Sequence, residues 1–155
     1  MKAIGVIHTP YTVLANMPIQ PAGAAGVKGT IEIFDEYQNG LADLNGFSHI
    51  ILLFHFHKSE GFKLKVTPFM DTVERGVFST RAPKRPNQIG LSVVQLDKVE
   101  ESVLYIQNAD ILDGTPLLDI KPYVPDFDNV KDIRMGWLEE ARKTVDERKS
   151  DDRFS

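Results

Sequence analysis

The stretch STRAPKRPNQ, residues 79–88, concentrates positive charge on a stiff backbone and is called the cation loop below. Arg81, Lys84 and Arg85 have no acidic neighbour within it, although the whole chain carries a net charge of −4. Prolines on both sides of the Lys84–Arg85 pair fix φ, so the loop loses little further entropy when it binds an anion. Guanidinium groups also match the planar geometry of carboxylate and phosphate. We therefore interpret the cation loop as an anion-binding site in preference to a solvated surface loop.

Two acids flank a tight turn further along the chain, in the stretch DILDGTPLLDI. The Asp113–Gly114 pair is a strong hairpin signal, and a plain turn explains it well. Asp110 and Asp113 nevertheless bring carboxylates to this turn, where they could accept hydrogen bonds from ribose hydroxyls or from an amine. The spacing alone leaves a plain turn and a binding site equally open.

Two histidines, His55 and His57, end an apolar stretch that is typical of a central strand. Residues at this spacing on a strand share a face, so the pair could begin a metal site. A third ligand would have to come from His8, His49 or a carboxylate, and the sequence contains no customary ligand spacing. We therefore predict no metal and interpret the pair as packed or hydrogen-bonding histidines, with a metal-dependent hydrolase as a lesser alternative.

Composition excludes several other kinds of site. The chain has no cysteine, so disulfides, cysteine-ligated zinc and thiol nucleophiles are excluded. The longest apolar run, IILLFHF, is too short to span a bilayer, and the first residues lack the apolar region of a signal peptide. These features predict a cytoplasmic protein without a membrane partner. A pI near 5.5 argues against a general nucleic-acid coat protein but permits a local basic patch.

Short apolar and alternating segments predict about seven strands with little helix between them. The predicted strands are residues 2–8, 30–34, 49–57, 63–69, 90–100, 102–111 and 117–124. A short helix with Asp35 as its N-cap is predicted for residues 35–44, and a long Pro/Gly-rich loop for residues 14–30. Strands that follow strands at short spacing indicate an antiparallel barrel or sandwich rather than a parallel sheet.

The end of the chain predicts one amphipathic helix over residues 133–149. Leu138, Ala141 and Val145 form its apolar stripe, with Trp137 beside it. The expected organisation is one domain over residues 1–155, with a barrel in residues 1–130 and a C-terminal helix and tail in residues 131–155. The predicted fold class is therefore mainly β, a small antiparallel β-barrel with a C-terminal helix.

Five stretches together resemble the TsaA/TrmO-like proteins: GVIHTPY, PIQP, FSHIILLFHFH, FSTRAPKRPNQIGLSVV and DILDGTPLLDIKPYVP. The resemblance covers nearly everything from Ile4 to about Pro125. Proteins of that family are S-adenosylmethionine-dependent methyltransferases that act on N6 of a threonylcarbamoyl-modified adenosine beside the tRNA anticodon. One departure is Gln88, where the family usually has the second proline of an RPNPIG motif.

The resemblance implies a barrel-shaped methyltransferase, a homodimer, S-adenosyl-L-methionine as cofactor and tRNA as partner. It also implies that cofactor contacts come from separate segments of the chain and that the loop of residues 14–30 forms one wall of the pocket. The cofactor-binding residues implied in this way are Gln20, Pro21, Phe56, His57, Arg81, Ile111, Leu112 and Asp113.

Methyl transfer is an in-line displacement at a sulfonium, in which alignment matters more than acid–base power. The N6 proton of a carbamoylated adenosine is more acidic than usual, and a nearby base would assist its removal. Asp113 and His57 are both candidates, and the sequence does not choose between them. Arg81 is assigned to the cofactor and Arg85 to catalysis on the RNA side. The alternative function is a non-catalytic module that binds S-adenosyl-L-methionine or another adenine-containing ligand.

Overall fold

Alternating apolar residues build eight strands and only short helices in the computed structural model, which describes residues 1–13, 26–69 and 71–142. The strands are β1 Gly5–His8, β2 Lys28–Ile33, β3 His49–His55, β4 Lys65–Val66, β5 Arg75–Gly76, β6 Ile89–Glu100, β7 Val103–Gln107 and β8 Thr115–Pro122. Short 3₁₀ helices span Asp35–Leu41, Leu44–Gly46 and Val77–Ser79, and α1 spans Pro125–Asp128. No helix within these described ranges is long and apolar enough to cross a membrane.

Six of the strands close into an antiparallel barrel in the order β1-β2-β7-β6-β3-β8, while β4 and β5 form a separate two-stranded hairpin. Alternate residues of each barrel strand point inward, as the two-residue period of a strand requires. The fully buried core includes Ile7, Ile31, Ile50, Leu52, Leu104, Ile106 and Leu117. The predicted fold class, a small antiparallel β-barrel with a C-terminal helix, is confirmed.

Several predicted elements end earlier than the sequence pattern indicated. Strand β3 stops at His55, because the chain turns sharply there and the amide of His57 donates to the carbonyl of His55 at 2.8 Å. The premise that His55 and His57 share one strand face was therefore wrong. Strand β7 ends at Gln107, because Asn108 adopts a left-handed conformation with φ of 70°. Residues 108–113 consequently form an irregular segment rather than the end of a strand.

The short helix predicted for residues 35–44 is a 3₁₀ helix, and Asp35 is its first residue rather than its cap. Phe34 occupies the cap position and makes no side-chain capping bond. The strand predicted for residues 63–69 is reduced to the two residues of β4. These differences leave the barrel unchanged, since all of them lie outside its six strands.

The C-terminal helix begins at residue 138 rather than at residue 133, and it is helical through residue 142. A left-handed Gly136, with φ of 56°, precedes it and prevents an earlier start. Ala141 is buried, as its place in the predicted apolar stripe requires, whereas Val145 lies outside the described residues. Trp137 donates its indole N–H to the carbonyl of Ser79 at 2.9 Å, so this segment contacts the start of the cation loop.

Candidate functional site

The cation loop and the end of strand β3 meet at one end of the barrel. His55 pairs with Ile89, the first residue of β6, and the amide of Phe56 donates to the carbonyl of Gln88 at 2.9 Å. Because β6 follows directly from the cation loop, these bonds place the loop beside Phe56 and His57. Two of the predicted cofactor segments are therefore neighbours in the fold.

Two phenylalanine rings lie over a glycine at this end of the barrel. Phe54 and Phe56 pack edge to face, with ring centroids 5.4 Å apart. Gly90 lies beneath them, and a Cβ atom at this position would collide with both rings. The absence of a side chain at residue 90 thus allows Phe56 to lie against the barrel end.

Asp110 is a half-buried acid in this region. Its carboxylate accepts a hydrogen bond of 2.7 Å from the hydroxyl of Ser92, a buried residue of β6. Burial raises the pKa of Asp110, while the Ser92 bond and the positive charge of Arg81 act in the opposite direction. Arg81 is consequently close enough to interact with this carboxylate. An arginine and a half-buried acid from distant parts of the sequence thus come close enough for their charges to interact, although no ion-pair contact joins the two described side chains.

Ser92 and Asp110 were not among the predicted site residues, although Asp110 was recognised as one of the two acids at the turn. The strand pattern contained a signal for Ser92. It lies in the inward row of β6 with Val94 and Leu96, and a hydroxyl in such a row requires a buried partner. No pattern in the sequence indicated that the partner would be Asp110.

Asp113 faces a different set of groups. Its carboxylate accepts from the amide of Thr9 at 3.1 Å and lies 3.3 Å from Nδ1 of His8. Its own amide donates to the carbonyl of Tyr11 at 2.7 Å. The neighbouring Ile111 accepts a bond of 2.6 Å from the hydroxyl of Thr9. These bonds fix the 108–113 segment to the end of β1, so Asp113 has a structural role in this fold.

Ile111 and Leu112 are buried, so they contribute apolar packing beneath this segment. The described residues on either side of the 14–25 stretch lie next to the same segment, because the carbonyl of Tyr11 accepts from the amide of Asp113 and the amide of Gly26 donates to the Asn108 side chain at 2.7 Å. Gln20 and Pro21 themselves lie outside the described residues.

Arg81 and Arg85 differ in their surroundings. Arg85 donates from Nη1 to the carbonyls of Thr80 at 2.9 Å and Ala82 at 3.1 Å, so it braces the cation loop from within. Arg81 is exposed, and its charge reaches Asp110. The loop therefore presents Arg81 to the site, while one nitrogen of Arg85 holds the backbone in shape.

His57 is half-buried, and this burial lowers its pKa, with the charge of Lys58 acting in the same direction. A lowered pKa keeps the imidazole neutral at physiological pH, so one ring nitrogen can accept a proton. No group of three or more histidine, aspartate or glutamate side chains capable of holding a metal occurs in the described part of the chain.

Two surface cavities lie away from this region. One, of about 580 Å³, lies under the 3₁₀ helices at the other end of the barrel and is lined by residues such as Ile4, Tyr37 and Ile120. The other, of about 610 Å³, lies on the outer face of β1, β2 and β7. None of the described residues predicted to form the site lines either cavity. These two cavities therefore do not mark the region around Phe56, Arg81 and Asp110.

Comparison with known proteins gives consistent matches. The family described as the tRNA-methyltransferase O N-terminal domain matches residues 6–129. A probable S-adenosyl-L-methionine-binding protein of Pyrococcus abyssi is 48% identical over 153 residues, which cover 99% of this chain and 83% of that protein. A tRNA (adenine(37)-N6)-methyltransferase of Mus musculus is 39% identical over 139 residues, which cover 85% of this chain and 32% of that protein.

Solved structures agree with the barrel fold. A crystal structure of TrmO superimposes with a TM-score of 0.74 and 43% identity, covering 87% of this chain and 62% of that one. TrmO from Pseudomonas aeruginosa gives a TM-score of 0.74 and 41% identity, covering 87% of this chain and 60% of that one. The chain thus spans less than two thirds of these TrmO chains and about a third of the mouse relative.

Proposed function

The chain belongs to the family of the tRNA-methyltransferase O N-terminal domain, and on that premise we propose that it methylates tRNA with S-adenosyl-L-methionine as the methyl donor. The proposed target is N6 of a threonylcarbamoyl-modified adenosine next to the anticodon. The observation that carries this proposal is that one end of the barrel brings Arg81 within electrostatic reach of Asp110 and places a neutral His57 next to Phe56 and the cation loop.

The chemistry of these residues fits the proposed cofactor. S-adenosyl-L-methionine carries a carboxylate and an ammonium on its amino-acid part and an adenine ring at the other end. Arg81 is suited to the carboxylate, and Asp110 is suited to the ammonium. The Phe56 ring offers an apolar face against which an adenine can stack. Thr9 and Tyr11 bind the 108–113 segment, which contains Asp110. These bonds hold Asp110 in place before the cofactor binds.

His57 is the proposed base. When bound, the cofactor supplies an electrophilic methyl group on a sulfonium. The neutral imidazole of His57 would accept the proton that N6 loses on methylation, and the demethylated thioether of the cofactor would be the leaving group. Asp113 is the weaker candidate, because its carboxylate already accepts from Thr9 and faces His8.

Replacing Asp110 with asparagine tests the proposed ammonium contact. Asparagine keeps an acceptor for Ser92 but removes the negative charge, so the dissociation constant for S-adenosyl-L-methionine should rise about five- to tenfold. Because burial raises the pKa of Asp110, its ionisation opposes folding at pH values above its ordinary 3.8. The D110N variant should therefore melt at a higher temperature than the parent at pH 8, with a smaller difference near pH 4. Unchanged cofactor affinity in calorimetry would remove Asp110 from the site.

Binding of tRNA requires a local positive surface, because the whole chain is acidic. Lys63 and Lys65 are exposed and lie beside the cation loop, where the amide of Lys63 donates to the carbonyl of Lys84 at 3.4 Å. If each lysine contacts one phosphate, Lys63→Ala and Lys65→Ala should each reduce the slope of log affinity against log salt by about one. The measurement is a salt titration of tRNA binding, and a parent slope near zero would contradict the assignment of RNA to this face.

A homodimer is also proposed, from apolar residues on the outside of the barrel. Leu91 and Val93 are exposed on β6 and pair across the sheet with Leu53 and Ile51 of β3. Most soluble homo-oligomers are two-fold dimers, and this strip suits such an interface.

Light scattering should give twice the 17.4 kDa mass of one chain. Val93→Glu should give the single mass, while the control Val130→Glu, at another exposed valine, should remain dimeric. A single-chain mass for the parent would refute the dimer.

A second candidate function is a non-catalytic module that binds S-adenosyl-L-methionine. It is favoured by the similarity to the probable S-adenosyl-L-methionine-binding protein of Pyrococcus abyssi. Purified protein should be incubated with tRNA and methyl-labelled S-adenosyl-L-methionine. Transfer of label to tRNA supports the methyltransferase, whereas cofactor binding without transfer supports the module.

A further inference from the structure

Three phenylalanines stand out from the segment between strand β3 and the cation loop, residues 58–78, called the arm here. Phe62, Phe69 and Phe78 expose 57%, 73% and 75% of their surface. Rings of this size are normally buried, and a cluster of exposed apolar side chains usually marks a binding surface. The proposed methyl transfer leaves these three rings unused.

The described residues of the arm, 58–69 and 71–78, lie against the cation loop. Its hairpin pairs Val66 with Arg75, and the amide of Val77 donates to the carbonyl of Leu64 at 2.9 Å, which extends the pairing by one residue. Val77 is fully buried beneath it. The side chain of Gln88, from the cation loop, donates to the carbonyl of Gly61 at 3.0 Å. The rings are therefore presented on a fixed support next to Arg81.

The charge around the rings identifies the kind of partner. Residues 58–85 contain seven lysines and arginines against three acids, in a chain whose net charge is −4. Asp71 and Arg75 are bonded to each other at 2.6 Å, so six of the cations and two of the acids lie outside this pair. A second copy of the chain on a two-fold axis would bring these cations against each other, which is unfavourable. Exposed rings among cations instead match unpaired nucleotides, whose bases stack on aromatic side chains while their phosphates meet the cations.

We propose that Phe62, Phe69 and Phe78 form a stacking surface for unpaired bases of the tRNA anticodon loop. This inference rests on the proposed function, since it assumes that the target adenosine enters the site beside Arg81. The rings hold the neighbouring bases of the opened loop, and Lys63, Lys65 and Lys84 hold the adjoining phosphates. Recognition at this surface depends on unpaired bases rather than on a duplex.

A salt titration of RNA binding distinguishes the contribution of the aromatic rings from that of the cations. Phe69→Leu and Phe78→Leu keep an apolar side chain but lose the ring, so each should weaken binding of an anticodon stem–loop RNA about tenfold. The slope of log affinity against log salt should stay at the parent value, because no cation is removed. Phe78→Tyr, which keeps the ring, should bind like the parent. Phe127→Leu is the matched control, at a ring that is 77% exposed but lies outside the arm, and it should change nothing.

Three outcomes would overturn the proposal. Leucine variants that bind the stem–loop as tightly as the parent would remove the rings from the RNA surface. Equal loss of affinity for a fully paired duplex would show that unpaired bases are not what the rings recognise. A change of mass in light scattering of the leucine variants would assign the rings to a contact between copies. Ring-dependent binding of the stem–loop without methyl transfer by the parent would support this surface while refuting the proposed activity.

Discussion

Replacing His57 with glutamine is expected to lower the single-turnover rate of methyl transfer to tRNA by about 100-fold. Glutamine keeps hydrogen-bonding capacity but cannot take a proton at neutral pH. The loss should lie near the lower end of the range for a general base, because the N6 proton of a carbamoylated adenosine is already acidic. Affinity for the cofactor should fall much less than the rate. The control His49→Gln, at an exposed histidine at the start of β3, should keep the parent rate.

The pH dependence of the methyl-transfer rate tests the role of His57 in a second way. Burial and the charge of Lys58 lower the pKa of His57 below its ordinary value of 6.5, so more than half of the imidazole is neutral at that pH. The rate should therefore fall at acidic pH, as the base takes up a proton, with the midpoint of the fall below pH 6.5. His57→Gln should remove that fall. A midpoint above pH 6.5 in the parent, or an H57Q variant as fast as the parent, would exclude His57 as the base.

Removing the guanidinium of Arg81 is expected to raise the dissociation constant for S-adenosyl-L-methionine about 10- to 150-fold, which corresponds to roughly 1.5–3 kcal/mol for a charge-assisted hydrogen bond. The reason is that Arg81 is the exposed cation of the loop whose charge reaches Asp110. Calorimetry with the Arg81→Ala variant measures the effect. Arg81→Lys should give an intermediate value, because the charge remains but the planar fork is lost.

Two further variants test whether the loss of cofactor affinity is specific to Arg81 or follows from the loss of any arginine. Arg134→Ala removes another exposed arginine, outside the cation loop, and should leave the cofactor affinity unchanged. Arg85→Ala removes the bonds to the carbonyls of Thr80 and Ala82, so it should impair turnover more than cofactor binding. Equal cofactor affinity of the parent and Arg81→Ala would eliminate Arg81 as a cofactor contact.

Strand periodicity was sufficient to predict the barrel, because one face of each strand is buried. The twelve residues of β6 match the predicted strand over 90–100 almost completely, with an inward row that includes Val94 and Leu96. The short elements were less predictable. Residues 35–41 form a 3₁₀ helix and β3 ends at a sharp turn after His55, and both depend on local hydrogen bonds that a hydrophobic pattern does not record.

The candidate site was predictable in its segments but not in its pairings. The cation loop was recognisable from three cations and two prolines in a short stretch, and the 108–113 segment from its two acids. Tertiary contacts determine which of the two acids faces the proposed cofactor site. Asp110 bonds to Ser92 and interacts with Arg81, whereas the carboxylate of Asp113 accepts from the amide of Thr9. The side chain of Arg85 likewise turns to its own loop, a contact that residue type and spacing did not indicate.

The central claim is that this chain methylates N6 of a threonylcarbamoyl-modified adenosine in tRNA. The most direct test is mass spectrometry of nucleosides from tRNA that carries this modification, after incubation with the purified protein and S-adenosyl-L-methionine. The account predicts that the threonylcarbamoyl nucleoside is converted to one heavier by a methyl group in place of hydrogen, with fragmentation placing the methyl at N6, and that H57Q converts far less. An unchanged nucleoside pool, at protein and cofactor concentrations where cofactor binding is saturated, would contradict it.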